Sequence, residues 1–269
     1  MSRQAKEQTK GQRQKPKAGA KKRATAPDGR KAIVSGGAKR LDVGTLVERW
    51  GAPIDGELLI LALTHRSFAN AAGAPNNERL EFLGDSVLGL VAAEHFYRHY
   101  PHLPEGRISR MHHATVSEPS LAQAARRIGL GDYLLLDTGA DGYGGRERDS
   151  VLADAMEAMI GATYLCNGLE ISKRVVHALL APEFEDAEER AFLLDPKTPL
   201  QEWAAAGGHT PPEYSSHHEG PDHARVFHAT VTIDGRVAGR GCGTSRKAAE
   251  IEAAAQACRA FGVFAARNG

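Results

Sequence analysis

Two acidic residues lie in a stretch of sequence that is otherwise too apolar to face water. The segment from Leu80 to Val91 is apolar at nearly every position, yet it contains Glu81 and Asp85. A helix that is apolar on all sides is a buried helix, and residues four positions apart share one of its faces. Because an unpaired buried carboxylate is very costly, the fold must bring a lysine, an arginine or a metal ion to this face.

A second apolar segment, from Val151 to Gly161, repeats this arrangement. It contains Asp154 and Glu157, which are three positions apart and again share one helix face. That face continues into Ala158 and Gly161, whose small size allows another helix to approach closely. If the two helices face each other, four carboxylates converge, and neither segment contains a base that neutralises them.

The composition of this carboxylate group indicates which ion it would bind. Oxygen ligands without histidine or cysteine suit Mg²⁺ or Mn²⁺ rather than zinc, and such ions activate water and stabilise charge on a phosphate. The alternative is a pair of amphipathic helices whose acids merely face solvent. Either helix alone would favour that alternative, whereas the two together, each with a glycine beside its acids, favour a metal site.

The N-terminal part of the chain has a helical pattern from Leu41 to about Ala181. Proline cannot continue a helix, so Pro101 and Pro104 end the long helix that contains the first acid pair. The expected elements are a helix within 57–63, a helix from Glu78 to about His99 capped by Asn76–Asn77, a helix around Ser120–Ile128, a flexible loop at Gly142–Gly145, and a helix from Asp149 or Ser150 to Asn167–Gly168, where glycine provides a left-handed cap.

The pattern changes after an acidic linker at 183–190 and 195–196. Alternating apolar residues and a turn of the Asp-Gly type predict a β-hairpin. The expected elements are a short helix from Thr198 to Gly207–Gly208, a further strand near Glu213–His217, strands at Val226–Ile233 and Arg236 to about Gly241 joined by Asp234–Gly235, and a helix from Ala248 to Phe261. This α-β-β(-β)-α order predicts a small second domain of a different class from the first.

The first 40 residues differ in charge from the rest of the chain. They contain 13 Lys or Arg and two acids, whereas the chain as a whole has a net charge of +1. So basic a segment has almost nothing to bury, which predicts a disordered tail. It is either a solvating extension or an arm that binds a polyanion, and composition does not separate these two interpretations.

Targeting and redox features point to the cytoplasm. Neither a signal peptide nor an apolar run long enough to cross a membrane is visible in the sequence. Cys166, Cys242 and Cys258 are odd in number and far apart, so they predict neither a disulfide framework nor a zinc site. We therefore expect a cytoplasmic protein with no membrane segment.

Several separated motifs resemble the ribonuclease III family. Residues 77–86, NERLEFLGDS, resemble its signature, and the chain matches further at LTHRS (63–67), at EG and IS (105–109), and at LAD, EA and IG (152–161). Residues 111–115, MHHAT, depart from the family pattern. The pair His112–His113 beside acids would suggest zinc, but two surface histidines on a helix are the favoured interpretation because no third ligand has a suitable spacing.

The resemblance implies an all-α ribonuclease III nuclease domain over 41–190 that forms a homodimer. Matched residue by residue, Glu81, Asp154 and Glu157 would bind Mg²⁺, with Mn²⁺ as a substitute. Asp85 would position or activate the attacking water, and Glu157 would also act in catalysis. Glu78 matches a position near the subunit interface and the RNA strand. The implied reaction cuts both strands of double-stranded RNA and leaves 5′-phosphate and 3′-hydroxyl ends, in the processing of ribosomal, messenger and transfer RNA.

Residues 195–264 resemble an α+β (α-β-β-β-α) double-stranded-RNA-binding domain. Such domains contact 2′-hydroxyls in successive minor grooves, and basic residues at a helix N-terminus grip the phosphates between them. The matching residues are Thr198, Gln201 and Glu202 on the first helix, His223 in the first hairpin loop, and Arg246 and Lys247 at the start of the last helix. The region carries seven basic and eight acidic residues, which is unusually few positive charges for this kind of domain.

Three other functions use the same elements. A nuclease-like scaffold that binds RNA without cutting it, or a ribosome-associated structural subunit, would be expected to lose one or more of the carboxylates, and all four are present. A phosphohydrolase of small nucleotides would not need an RNA-binding domain. The sequence therefore favours a metal-dependent endoribonuclease over all three.

Overall fold

A computed structural model describes residues 42–221 and 224–263, and the N-terminal tail and His223 lie outside these ranges. The first part of the described chain is entirely helical apart from turns and one isolated bridge between Thr64 and Leu135. Its helices are α1 Val43–Trp50, α2 Gly56–Ala62, α3 Arg66–Ala72, α4 Glu78–His99, α5 Glu105–Thr115, α6 Glu118–Ile128, α7 Thr138–Gly142, α8 Asp149–Leu179, α9 Ala181–Glu185 and α10 Ala187–Leu194.

Helices α4 and α8 pack against each other, which is the condition under which the sequence brings four carboxylates together. Gly84 of α4 lies against the backbone of α8, where an added Cβ would come 1.7 Å from the carbonyl oxygen of Glu157. The contact is reciprocal, because a Cβ on Gly161 would come 2.3 Å from the carbonyl oxygen of Leu80. Only glycine permits two helix backbones to approach this closely. Large apolar side chains such as Leu88, Leu152 and Met156 fill the core around this contact.

The helix ends follow the predicted signals in some places and not in others. The Asn76 side chain accepts a hydrogen bond from the Glu78 amide at 3.2 Å, and α4 ends at His99 as expected. The predicted helix end at Asn167–Gly168 is confirmed: Gly168 has a φ of 75° and a non-helical ψ of −177°, so it separates α8 into two helical halves, the second of which ends at Leu179. The segment predicted as a loop at 142–145 overlaps α7 and a 3₁₀ turn at Gly145–Glu147.

The predicted complete burial of α4 is also wrong. Phe82, Leu90 and Tyr97 are 78%, 54% and 75% exposed. They are spaced eight and seven residues apart, so they lie along one side of the helix. Helix α4 therefore buries one side in its own domain and presents an apolar stripe to its surroundings.

The second domain is a three-stranded antiparallel sheet covered by a helix. Its elements are α11 Lys197–Ala206, β1 Glu213–Glu219, β2 Val226–Ile233, β3 Arg236–Gly243 and α12 Arg246–Ala260, with strand order β1-β2-β3. Ala229, Val231 and Ile233 of β2 are buried in the core that α12 shares. The turn between β2 and β3 has positive φ at Asp234 and Gly235, as the Asp-Gly signal predicts. This part of the predicted fold is confirmed, including the third strand.

The acidic segment predicted as a linker is helical. Glu183 of α9 is fully buried, and Arg127 of α6 donates to both of its carboxylate oxygens at 2.8 Å. In α10, Ala191 belongs to the core of the first domain and Phe192 to the core of the second. The connection therefore packs against both domains. No helix in the described ranges is long and apolar enough to cross a membrane.

Candidate active site and RNA-binding surface

The close approach of α4 and α8 brings the four predicted carboxylates together. Glu81 and Asp85 flank Gly84 on α4, while Asp154 and Glu157 precede Gly161 on α8. The carbonyl oxygen of Glu157 is the atom that approaches Gly84 most closely. The two acid pairs therefore meet across the place where no side chain separates the helices, which is the convergence that the sequence predicts.

The electrostatics of this group reflect burial and mutual repulsion. Burial, and after it the charges of Asp85, Glu81 and Asp154, together raise the pKa of Glu157 to about 8. The pKa of Glu81 is raised by burial and then by Asp154, and burial also raises that of Asp154. Partial burial of several like charges disfavours the ionised forms. A cation at this place would remove the penalty.

The chemistry of the donor set fits Mg²⁺, although the side chains are not arranged as a closed coordination shell. Within 42–221 and 224–263, no three His, Cys, Asp or Glu side chains form a group arranged to hold a metal ion. The charges of Asp85, Glu81 and Asp154 nevertheless all raise the pKa of Glu157, so the four carboxylates lie within electrostatic reach of one another. Their oxygens are the hard ligands that Mg²⁺ and Mn²⁺ prefer. Among them, Glu81, Asp154 and Glu157 are the residues that the family resemblance implies would hold such an ion.

A cavity of about 250 Å³ opens beside two of the carboxylates. Its lining residues are His65, Arg66, Asn77, Glu78, Glu81 and Asp154. The sequence reasoning about acidic pairs missed His65, Arg66 and Asn77, because they belong to a separate segment and to the start of α4. They do lie within the motifs LTHRS and NERLEFLGDS, so the motif match was the available signal.

The predicted RNA-binding residues of the described chain lie on α11 and α12, whose first turns are linked by an ion pair. Glu250 of α12 accepts from Lys197 at the start of α11 at 2.5 Å and from Arg246 at 2.8 Å. Lys247 follows Arg246 in the first turn of α12 and is exposed. Basic groups of both helices therefore stand together on one side of the second domain.

Contacts differ among the predicted RNA-binding residues of α11. The hydroxyl of Thr198 donates to Asp195 at 2.5 Å, and Gln201 is exposed. Glu202 accepts from Arg110 of α5 at 3.2 and 3.4 Å, so it faces the first domain in this arrangement. His223 lies outside the described residues.

The histidine pair that departs from the family pattern has a structural role. His112 is half-buried, not fully on the helix surface as expected, and its Nε2 lies 3.0 Å from the carbonyl oxygen of Gly89. This contact ties α5 to α4, whereas His113 is exposed. The zinc alternative gains no support, since the described ranges contain no group of three ligands.

Comparison with known proteins identifies relatives for both domains. Residues 55–184 match the family model described as ribonuclease-III-like, and residues 196–260 match the double-stranded RNA binding motif. Ribonuclease 3 of Leifsonia xyli subsp. xyli is 48% identical over 228 residues, which cover 84% of this chain and 96% of that protein. Ribonuclease 3 of Streptomyces coelicolor is 45% identical over 219 residues, or 81% and 79% of the two chains.

The helical domain also resembles a solved structure. The nuclease domain of ribonuclease III from Campylobacter jejuni superposes with a TM-score of 0.51 at 39% identity, covering 54% of this chain and 99% of that one. The description of that structure refers to flexibility in a region involved in dimer formation. Sequence and structure therefore agree on the relationship of this domain.

Proposed function

Because the chain belongs to the ribonuclease III family of endoribonucleases, which act on double-stranded RNA, we propose that it hydrolyses one phosphodiester in each strand of an RNA duplex. The products would carry 5′-phosphate and 3′-hydroxyl ends with a short 3′ overhang. The observation that carries this proposal is the meeting of four carboxylates, three of them partly buried (Glu81, Asp154 and Glu157), at the contact between Gly84 and Gly161. We further propose that the protein processes precursors of ribosomal RNA, and messenger and transfer RNAs, in the cytoplasm.

In this proposal the carboxylates divide the work between metal binding and water activation. Glu81, Asp154 and Glu157 would hold Mg²⁺, and Mn²⁺ could replace it. When bound, the ion neutralises the carboxylates and stabilises charge that develops on the phosphate. Asp85 accepts a hydrogen bond from the attacking water and orients it towards the phosphorus. The raised pKa of Glu157 supports a role in catalysis as well as in binding, since catalytic acids and bases cluster among strongly shifted groups.

The second domain selects the substrate. Thr198, Gln201 and Glu202 of α11, together with His223, contact the minor grooves, and Arg246 and Lys247 contact phosphates. The shared first turns of α11 and α12 support this assignment, because Glu250 joins Lys197 to Arg246. Engagement of Glu202 by RNA requires separation from Arg110, which is an exposed ion pair of small energetic value.

We propose that two copies of the chain pair through the apolar stripe of α4. Leu90 and Tyr97 of this stripe line a cavity of about 590 Å³ between α4 and α5, together with Phe96 and Ile108. Such a contiguous apolar surface marks an interaction site, and the related nuclease domain from C. jejuni is described as forming dimers. A homodimer would carry one carboxylate group per subunit.

The test is cleavage of a labelled RNA duplex of a few tens of base pairs, with and without Mg²⁺, beside single-stranded RNA and a DNA duplex. We expect metal-dependent cutting of the RNA duplex alone. Glu157→Gln should abolish cutting and leave duplex binding intact, whereas Glu170→Gln, at an exposed acid of the same helix, should cut normally. Binding without cutting in both Mg²⁺ and Mn²⁺ would instead favour the RNA-binding scaffold.

A further inference from the structure

The cavity beside the carboxylates contains one arginine whose role the predicted reaction does not assign. Arg66 lines this cavity together with the acids Glu78, Glu81 and Asp154. His65 also lines it, but burial and then Arg66 lower the pKa of this histidine, so it is neutral at pH 7. Among the described residues that line the cavity, Arg66 is therefore the side chain that contributes positive charge at neutral pH.

The backbone around Arg66 is held firmly, although its side chain is not. The Leu63 carbonyl accepts from the Leu135 amide at 2.9 Å, the His65 amide donates to the Leu135 carbonyl at 3.1 Å, and the Thr64 carbonyl accepts from the Asn77 amide at 3.0 Å. The guanidinium of Arg66 makes no ion pair within 4.0 Å to a described residue. The backbone of Arg66 is thus fixed at the start of α3, while the N–H donors of its exposed guanidinium remain available to a ligand.

The charges of the cavity explain what that ligand must be. A phosphodiester that approaches three carboxylates is repelled, and an arginine beside them offsets part of the repulsion. The planar guanidinium matches phosphate oxygens with two parallel hydrogen bonds. Arg66 already acts on this environment, since its charge lowers the pKa of Asp154 and of Glu81 against the effect of burial.

We propose that Arg66 binds a phosphate oxygen of the RNA strand being cut and so positions that phosphate beside the carboxylates. This inference rests on the proposed function and adds a substrate-contacting residue to it. Arg66 would be needed for placing the phosphate but not for holding the metal ion. Removing the charge of Arg66 should therefore weaken phosphate binding without weakening metal binding, which makes the assignment testable.

The first test measures duplex binding without cleavage. In the Glu157→Gln background, we compare the salt dependence of RNA duplex affinity with Arg66 intact and with Arg66→Gln. Loss of one phosphate contact should reduce the slope of log affinity against log salt by about 0.9. Arg66→Lys should keep most of the slope. Arg174→Gln, which removes an exposed arginine from the distant half of α8, should keep all of it.

The second test separates phosphate positioning from metal binding and folding. In the otherwise native chain, Arg66→Gln should lower the single-turnover cleavage rate at saturating RNA by about 100-fold. Calorimetric Mg²⁺ affinity without RNA should stay the same or rise, because a like charge has been removed. An unchanged salt slope would overturn the proposal whether or not the chain cuts RNA, and so would weakened Mg²⁺ binding with a lowered melting temperature. A native chain that never cuts contradicts only the proposed function.

Discussion

Two partly buried titratable residues have pKa values that are shifted in opposite directions for the same physical reason. Burial, as the largest cause, together with neighbouring charges raises the pKa of the Glu157 carboxyl to about 8 and lowers that of the His95 imidazole to about 4. In both cases the low-dielectric surroundings disfavour the charged form. Their neighbours differ, however: Glu157 stands among acids that a cation would relieve, whereas His95 stands among His99 and His177 and gains no compensating charge.

His95 should make the protein sensitive to acid. Its Nδ1 is buried without a hydrogen-bond partner, and its ring packs against His99, His177 and Phe184. Between its ordinary pKa of 6.5 and the folded value of about 4, the unfolded chain binds more protons than the folded one. Stability is therefore complete above pH 6.5 and falls as the pH drops towards 4.

We expect His95→Phe to weaken this acid sensitivity, because a ring of similar size packs there without titrating. Melting temperatures measured from pH 7 to pH 4 should fall less steeply for the variant than for the native chain. The pKa of His177 is also lowered by burial, so some dependence remains. Glu94 and Lys173, which also face this cluster, are unchanged in the variant. His102→Phe, at an exposed histidine, serves as the control, and equal slopes for all three proteins would contradict the prediction.

The sequence predicts some site residues and misses others for an identifiable reason. Glu81, Asp85, Asp154 and Glu157 stand out in the sequence because an acidic residue is unexpected in an apolar helix. Arg66 does not stand out, since an exposed arginine at the start of a short helix is ordinary. Its significance arises only when Leu135 and Asn77 fix its backbone beside the cavity. An acidic residue in an apolar helix can be recognised from the sequence alone. That residues from distant segments line one cavity can be recognised only from the fold.

At the scale of elements, the contact between α4 and α8 determines whether the active site exists. Gly84→Ala would place a Cβ within 1.7 Å of the Glu157 carbonyl oxygen and force the helices apart. The expected result is lost cleavage together with a melting temperature lowered by at least several degrees, since overpacking of a backbone contact costs more than about 1–3 kcal/mol. Thermal unfolding and duplex cleavage check both effects.

The same helix offers a matched control for this prediction. Gly89 of α4 has only the His112 imidazole near its missing Cβ, at 4.0 Å. Gly89→Ala should therefore cleave normally and gain up to about 1 kcal/mol from better helix propensity. If both alanine variants behave alike, the close helix contact is not what assembles the site.

Local sequence signals predict the ends of helices and turns correctly where neighbouring residues determine them. They fail where tertiary contacts determine them. The cap at Asn76 and the turn at Asp234–Gly235 depend on neighbouring residues, and both are where the sequence predicts them. The acidic segment after α8 forms helices instead of a linker because the buried Glu183 pairs with Arg127, 56 positions earlier. Composition alone does not reveal a partner at that distance.

At the scale of the whole molecule, the apolar stripe of α4 predicts a pair of chains. The double variant Leu90→Asp and Tyr97→Asp places two charges on this stripe, where burial against a second copy would cost several kcal/mol per unpaired charge. We expect the variant to sediment as a monomer at micromolar concentration while the native chain sediments as a dimer. Tyr143→Asp, at a residue that is 85% exposed elsewhere on the surface, should leave the dimer intact.

The distribution of charge along the molecule leads us to predict that its N-terminal segment contributes to RNA binding. Residues 1–40 carry 13 basic and two acidic side chains, while residues 195–264 carry seven basic and eight acidic ones. Affinity for duplex RNA depends mainly on the number of phosphates that basic groups neutralise, and each contact adds about 0.9 to the salt slope. A near-neutral RNA-binding domain therefore depends on charge from elsewhere in the chain.

Deleting residues 1–40 should weaken duplex binding and flatten its salt dependence in a titration from about 50 to 200 mM salt, with the cleavage site on the duplex unchanged. An unaltered slope would mean that the segment only solvates the protein, and that Arg246, Lys247 and Arg66 account for the phosphate contacts by themselves.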